Sequence, residues 1–291
     1  MITGAAIKDT IMIDVFYAIF DPDNLFLKHA FIMGFLSSIS FGIIGTFVTT
    51  KRIGYLAGAI SHCVFGGIGL ALFLQVNMGL AWFDPMLGAV IAAVIAAVIV
   101  GLVSLHAKER EDTIIGTLWA VGMASGILLI DITPGYFNIA SYLFGDILLI
   151  SSSDLLYVAC LDIFVLCLSI LFFNRFFGVC FDSEFTLLRG INTSFFYLLL
   201  LILTALTIVL LVRIVGIVLV IALLTIPPAI ASFHAKRLWQ MMLYSCFLCI
   251  FFTWTGLGVS YSLSLSSGPT IIVLSGSAYL VLLIIHKVIK S

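Results

Sequence analysis

The sequence predicts an all-α integral membrane protein, a polytopic bundle of about nine transmembrane helices. Three observations carry that expectation. Of the 291 residues, 63% are hydrophobic and 9% charged, and the mean hydropathy is +1.30. Soluble domains carry charge on about a quarter of their residues, so a chain this poor in charge cannot cover a surface in water. Long charge-free runs recur along the sequence, and about twenty apolar residues cross a bilayer as a helix. The basic residues, finally, fall mainly on alternate connections.

The runs lie at 29–50, 53–75, 85–105, 113–130, 190–212 and 214–235, with another at 155–174 interrupted by Asp162. The run 238–285 is too long for one crossing. Its TGLGVSYSLSLSSGP stretch is a turn signal, which splits it into spans at 238–256 and 268–286. Residues 132–145, with Pro134 and Gly135, are too few to cross and read as a re-entrant or interfacial segment. Residues 1–28 read as an extracytoplasmic or interfacial segment, their apolar residues interrupted by Asp9, Asp14, Asp21 and Asp23. No basic stretch precedes an apolar run there, so no signal peptide is expected. Residues 29–291 then form a single permease domain.

Lys and Arg accumulate in cytoplasmic loops. Alternating nine spans places all of them on one side except Lys8, Lys28 and Arg213. This predicts an external N-terminus and a cytoplasmic C-terminus, in a multi-pass protein of the cell (inner) membrane. Asp84, Asp131, Asp146 and Asp154 would rim the outer face. The net charge of −1 and the lack of a basic patch argue against nucleic acid.

The six cysteines show no disulfide framework. Cys246 and Cys249, a CFLC inside an apolar run, read as small packing residues because a structural zinc site needs four converging ligands. Cys160 and Cys167 also read as packing positions. No Walker-type phosphate loop, HExxH or GxSxG is present, so no enzymatic activity is expected of the chain.

Ionisable groups inside the spans are few and draw attention to themselves. Asp162 is either a pathway or helix-pairing group, or a hydrogen-bonded core carboxyl. His62 stands in GYLAGAISHCVFGG among Gly54, Gly58 and Gly66. Small residues at helical spacing permit close helix approach, which makes one reading a packing face with a satisfied histidine. In the other, an imidazole projects into a seam as a transient metal ligand, with Cys63 and Asp162 as weaker candidate ligands. The polar stretch FDSEFTLLRG, 181–190, reads as a short helix capped by Ser183 and stopped at Gly190, whose Phe185 and Leu188 could enter a groove on a partner. A surface loop is the alternative. Pro227 and Pro228 interrupt the run 212–232 and predict a kink or gate.

These blocks resemble the metal-ion permease family of ABC importers. The similarity runs through YLAGAISHCVFGGIGL (55–70), EDTIIGTLWAVGMASGILL (111–129), FDSEFTLLRGI (181–191), VGIVLVIALLTIPPAIA (215–231) and LGVSYSLSLSSGPTIIVLSG (257–276). The resemblance implies a subunit that moves zinc, manganese or iron(II), with no permanent cofactor and ATP entering only through a partner. It implies two cytoplasmic ATPase subunits, a second permease copy or relative, and an extracytoplasmic metal-binding protein. It makes 175–190 the coupling segment, with Asp182, Glu184, Phe185, Leu188, Arg189 and Gly190 facing the ATPase. Relatives commonly carry an Asp four residues before the second-span His; here that position is Gly58. An imidazole without its carboxylate favours zinc over manganese. The competing readings are a permease for cobalamin or iron chelates, an ion-coupled secondary transporter working through Asp162, and a membrane-embedded enzyme.

Overall fold

The computed structural model describes residues 25–106, 111–135, 143, 145 and 150–290. Residues 1–24 and most of 132–149 lie outside them, and with them the expected interfacial N-terminus and most of the expected re-entrant segment. Among the described residues eleven helices are traced in order: α1 Leu25–Lys51, α2 Gly54–Asn77, α3 Pro85–His106, α4 Glu111–Asp131, α5 Ser152–Leu171, α6 Phe173–Phe181, α7 Ser183–Leu188, α8 Thr193–Val215, α9 Ile217–Ser232, α10 Leu238–Leu263 and α11 Ser267–Lys290. Among the described residues eight helices are long and apolar enough to cross a membrane. The expected boundary at residue 28 falls inside α1, which is already helical from Leu25.

The ninth expected span, 214–235, is the departure. Its helix, α9, has sixteen residues, about 24 Å at 1.5 Å per residue, which is short of a full hydrocarbon core of about 30 Å. The chain breaks at Gly216, whose φ of 86° only glycine adopts without strain. Its N–H still closes α8 on Val212, and its carbonyl opens α9 by accepting from Val220. A side chain is excluded at Gly145 for a related reason: an added Cβ would lie 2.3 Å from the Val215 carbonyl carbon.

Pro227 and Pro228, expected to break the helix, sit inside α9, and the break is at Gly216 instead. Proline lacks the N–H that would bond four residues back, so the carbonyls of Leu223 and Leu224 lose their helical partners. The Cys249 thiol of α10 donates to the Leu223 carbonyl at 3.7 Å. The Leu224 carbonyl faces Gly45 of α1, where a Cβ would meet it at 2.4 Å. Neighbouring helices thus cover what the prolines uncover. Cys249→Ala is expected to lower stability by about 1 kcal/mol, read as a lower melting temperature in detergent; an unchanged value would make the thiol a bystander.

Two groups of helices share the centre. In one, α2 lies between α3 and α4, and α8 packs on α3; in the other, α1 is surrounded by α10, α9 and α5, while α11 covers α9 and α10. Lipid supplies no hydrophobic drive to join helices, so close van der Waals approach and hydrogen bonds do the work. The seams accordingly carry small residues. On α1, Gly42 lies against the Cys246 backbone, and Thr46 approaches Ser245 of α10 at 3.3 Å. All six cysteines are free, and Cys160 and Cys167 are exposed rather than packed. They lie on faces of α5 turned away from α1.

The expected turn at 255–269 is confined to Ser264–Ser266, so α10 runs past residue 256 to Leu263. Ser264 adopts the left-handed conformation at φ 53°, while Gly256 lets Ile271 of α11 approach closely.

Candidate functional site

α2 has no side-chain cap at Ile53 and is held by what packs on it. Three hydrogen-bonding residues occupy consecutive places in its middle. Ser61 donates back to the Ala57 carbonyl at 2.8 Å, and the Cys63 thiol donates to the Leu118 carbonyl of α4 at 3.5 Å. His62 does neither. Its ring stacks on Trp119 of α4, with centroids 4.7 Å apart and planes inclined by 24°. Its Nδ1 is buried without a hydrogen-bond partner, a condition that costs about 1–3 kcal/mol in folded proteins and is rare enough to need a reason.

The same indole explains Gly58. A Cβ there would lie 2.8 Å from Cζ3 and 3.0 Å from Cη2 of Trp119. Trp119 therefore fills the volume in which a second α2 ligand would stand. The sequence reading missed this residue; the signal was a lone Trp opening the small-residue stripe Trp119, Gly122, Ser125, Gly126. Gly66 approaches α4 as expected, a Cβ falling 2.7 Å from the Gly122 carbonyl oxygen. Gly67 and Gly69 do the same towards Gly88 and Gly126. Gly54 departs from the pattern, with only the Thr225 methyl nearby, at 3.4 Å.

The candidate ligands do not converge. The Cys63 thiol is committed to α4, and the Asp162 carboxyl accepts the Ser40 hydroxyl of α1. That bond ties α5 to α1. No group of three His, Cys, Asp or Glu is placed to hold a metal among the described residues. On the side of α2 that carries Gly66 and Gly67, a groove of about 400 Å³ opens between α3 and α4. Leu70, Ile91, Ile95, Ile99 and Leu129 line it, so it offers lipid-like surface and almost no donors.

The second candidate site is α6–α7. α6 is seated on the end of α1: Lys51 Nζ donates to the Val179 carbonyl at 2.8 Å. Burial pushes the Cys180 thiol up to about 12 against the opposing pull of Lys51, and the protonated thiol points at the Phe47 carbonyl. Phe172, Phe176 and Phe196 cluster beneath, with the Arg175 guanidinium over Phe172 and Phe196. α7 is capped by Asp182, not Ser183: its carboxylate accepts the Phe185 N–H at 2.9 Å. The extended backbone of Asp182 puts the stronger acceptor in the capping position. Gly190, at φ 77°, ends the turn. Thr186 is buried against Gly178, so the opposite side of α7 projects outward. Leu188 is 85% exposed, Phe185 and Leu187 are exposed beside it, and Arg189 covers the Phe185 ring at 4.6 Å. Thr50 meets Met241 of α10 near the same end, which gathers Lys51, Arg52, Arg175, Arg189 and Arg237 at one end of the bundle.

A bundle of long apolar helices with small-residue seams, a shortened central helix and one apolar helix projecting from a basic end is a polytopic membrane protein. The pattern of the ABC 3 transport family matches residues 23–286, and the chain belongs to that family. It is thus the multi-pass permease subunit of an ABC transport system and not itself an enzyme. A "probable metal transport system membrane protein" of Chlamydia pneumoniae is 37% identical over 264 residues, covering 90% of each chain. The manganese import system permease protein ScaB of Streptococcus parasanguinis is 28% identical, over 88% of this chain and 89% of that one. Among solved structures, PsaBC from Streptococcus pneumoniae in complex with Fab contains a chain that superposes with a TM-score of 0.77 at 28% identity, covering 88% of this chain and 90% of that chain.

Proposed function

We propose that this chain is the transmembrane subunit of an ATP-driven importer that carries a divalent transition metal into the cytoplasm. The family match over residues 23–286, with relatives named for metal and manganese transport, carries the proposal. The basic end of the bundle faces the cytoplasm, and with α9 making a ninth, shortened crossing the N-terminus is outside and the C-terminus inside. α7 docks there on an ATPase subunit. A second permease copy or relative completes the pathway, and an extracytoplasmic binding protein delivers the metal.

His62 is the proposed path ligand. Its buried, unpartnered Nδ1 is what a transient metal contact would satisfy, and a transport site must bind weakly enough to release. One imidazole beside an indole, with no α2 carboxylate, favours zinc, the better imidazole metal. Manganese is the second reading, favoured by the names of the relatives. ATP-dependent uptake of each metal in vesicles bearing the permease with its ATPase separates the two. His62→Ala is expected to reduce uptake about tenfold, the effect of losing about 1.4 kcal/mol at one polar contact, with the ATPase still co-purifying. Uptake at the wild-type rate would return His62 to a packing role.

A further inference from the structure

We propose that the groove between α3 and α4 seats one acyl chain of an aminophospholipid, whose headgroup amine is taken by the acids at the groove's mouth. The inference needs only that these helices cross a membrane. It depends neither on His62 nor on the metal carried.

The dimensions of the groove select the occupant. It follows α3 from Gly88 to Ile99 and α4 from Leu118 to Leu129, about 16 Å of each helix at 1.5 Å per residue. One leaflet is half of a hydrocarbon core of about 30 Å, so the groove is one leaflet deep. Its inner end lies near the middle of α2, where the Leu118 carbonyl holds the Cys63 thiol. About 400 Å³ spread over about 16 Å leaves a cross-section of about 25 Å², the girth of a single hydrocarbon chain. An α-helix, about 10 Å across, does not fit, which keeps a helix of a second copy out.

The walls match that occupant in chemistry. Ile91, Ile95 and Ile99 follow one another at one-turn spacing on α3, all of them exposed. The floor is the glycine seam of α2, where Gly66 meets α4 and Gly67 meets α3. α3 and α4 each pack on α2 and scarcely on one another. The wedge between them is therefore filled by what the bilayer supplies at that depth, an acyl chain.

The mouth fixes the headgroup. Phe83 lines the outer end of the groove, and its ring meets that of Trp82 edge-on at 5.5 Å. Trp82 is 70% exposed, the setting of an indole at headgroup level, with one N–H to give a phosphate. Asp84 follows Phe83 directly, Asp131 stands two residues beyond Leu129, and both are exposed. No Lys or Arg occurs in α2, α3, α4 or the 78–84 connection. A headgroup ammonium is thus attracted to the mouth and an anionic headgroup repelled. One oxygen of Asp84 accepts the Met86 N–H at 3.3 Å, which leaves the other for the amine.

The test uses the complete transporter, permease with its ATPase, delipidated in detergent and resupplied with dioleoyl phosphatidylethanolamine or dioleoyl phosphatidylglycerol. Native mass spectrometry is expected to show one lipid retained per permease, with ethanolamine favoured about fivefold, the effect of one exposed ion pair. Asp84→Asn combined with Asp131→Asn, which keeps an acceptor for the Met86 N–H, is expected to abolish the preference but not the retention. Ile95→Trp places an indole in the groove from an exposed position and is expected to lower retention of both lipids about tenfold. Ile95→Val leaves the groove open, guards against a folding defect and should retain lipid as wild type does. In wild type, a phosphatidylethanolamine carrying a diazirine in its acyl chain is expected to label the peptides that contain Ile95 and Leu129. Labelling spread evenly over the exposed helices would overturn the acyl seat, as would wild-type retention by Ile95→Trp. Equal retention of the two lipids by wild type would overturn the amine contact. Loss of permease pairing in Ile95→Trp with lipid retention unchanged would give the groove to a second copy instead.

Discussion

Gly67→Leu is expected to prevent accumulation of folded protein. At Gly67 a Cβ would lie 2.3 Å from the Gly88 carbonyl oxygen and 2.5 Å from the Ala92 Cβ. The approach is reciprocal, since a Cβ on Gly88 would fall 2.4 Å from the Gly67 carbonyl oxygen. Backbone faces backbone, so no rotamer change relieves the clash. Nor can α2 step away. On its other side Gly66 and Gly69 already sit against Gly122 and Gly126 of α4, where Cβ atoms would come within 2.7 and 2.6 Å of carbonyl oxygens. Overpacking commonly costs about 1–3 kcal/mol where side chains can give way. Here two helix pairs must part together, and a loss above about 4 kcal/mol is expected. Gly276→Ala on α11 is the control, because a Cβ there meets nothing within 4 Å. Membrane expression and size-exclusion profiles in detergent read both variants. A monodisperse, normally expressed Gly67→Leu protein would mean that the α2–α3 seam is looser than this geometry.

The helices were legible because their signal is local. Apolar runs specify crossings, Gly190 marks a stop by its own φ, and both features survive in the structure. What misled was settled at long range. Pro227 and Pro228 read as a break because each removes a donor. Only the fold reveals that Cys249 and Gly45 cover the freed carbonyls, and that Gly216 breaks the chain instead. The partner of Asp162, Ser40, lies 122 residues away in sequence, and their bond fits both the helix-pairing and the core-carboxyl reading. Gly58 looked like a missing donor. In the structure it is an occupied position, filled by a ring from α4. In each case the deciding partner lies on another helix, and hydropathy carries no information about pairing.

Leu188→Asp is expected to uncouple the transporter while leaving the permease folded. At 85% exposure, Leu188 contributes little to the fold. The Asp182 cap, buried Thr186 and the glycine stop at Gly190 that shape α7 all survive the change. The melting temperature in detergent should therefore move by no more than about 2 °C, as for a surface substitution worth under about 0.5 kcal/mol. On the proposed docking role, Leu188 and Phe185 are the apolar anchors that enter the ATPase. Burying a carboxylate in a hot-spot pocket costs about 2–4 kcal/mol, and at tenfold per 1.4 kcal/mol ATP-driven uptake should fall about thirtyfold or more. The force has a stiff route inward. α7 is locked to α6 through Thr186 and Gly178, α6 to α1 through Lys51 and Val179, and to α8 through the Phe172, Phe176 and Phe196 rings. α1 and α8 are two of the most buried helices of the bundle, so a displacement at α7 enters at its centre. Co-purification separates the two ways the variant can fail: loss of the ATPase indicates a docking contact, whereas retained ATPase with silent uptake indicates a lever. Normal uptake with ATPase bound would remove α7 from the drive altogether.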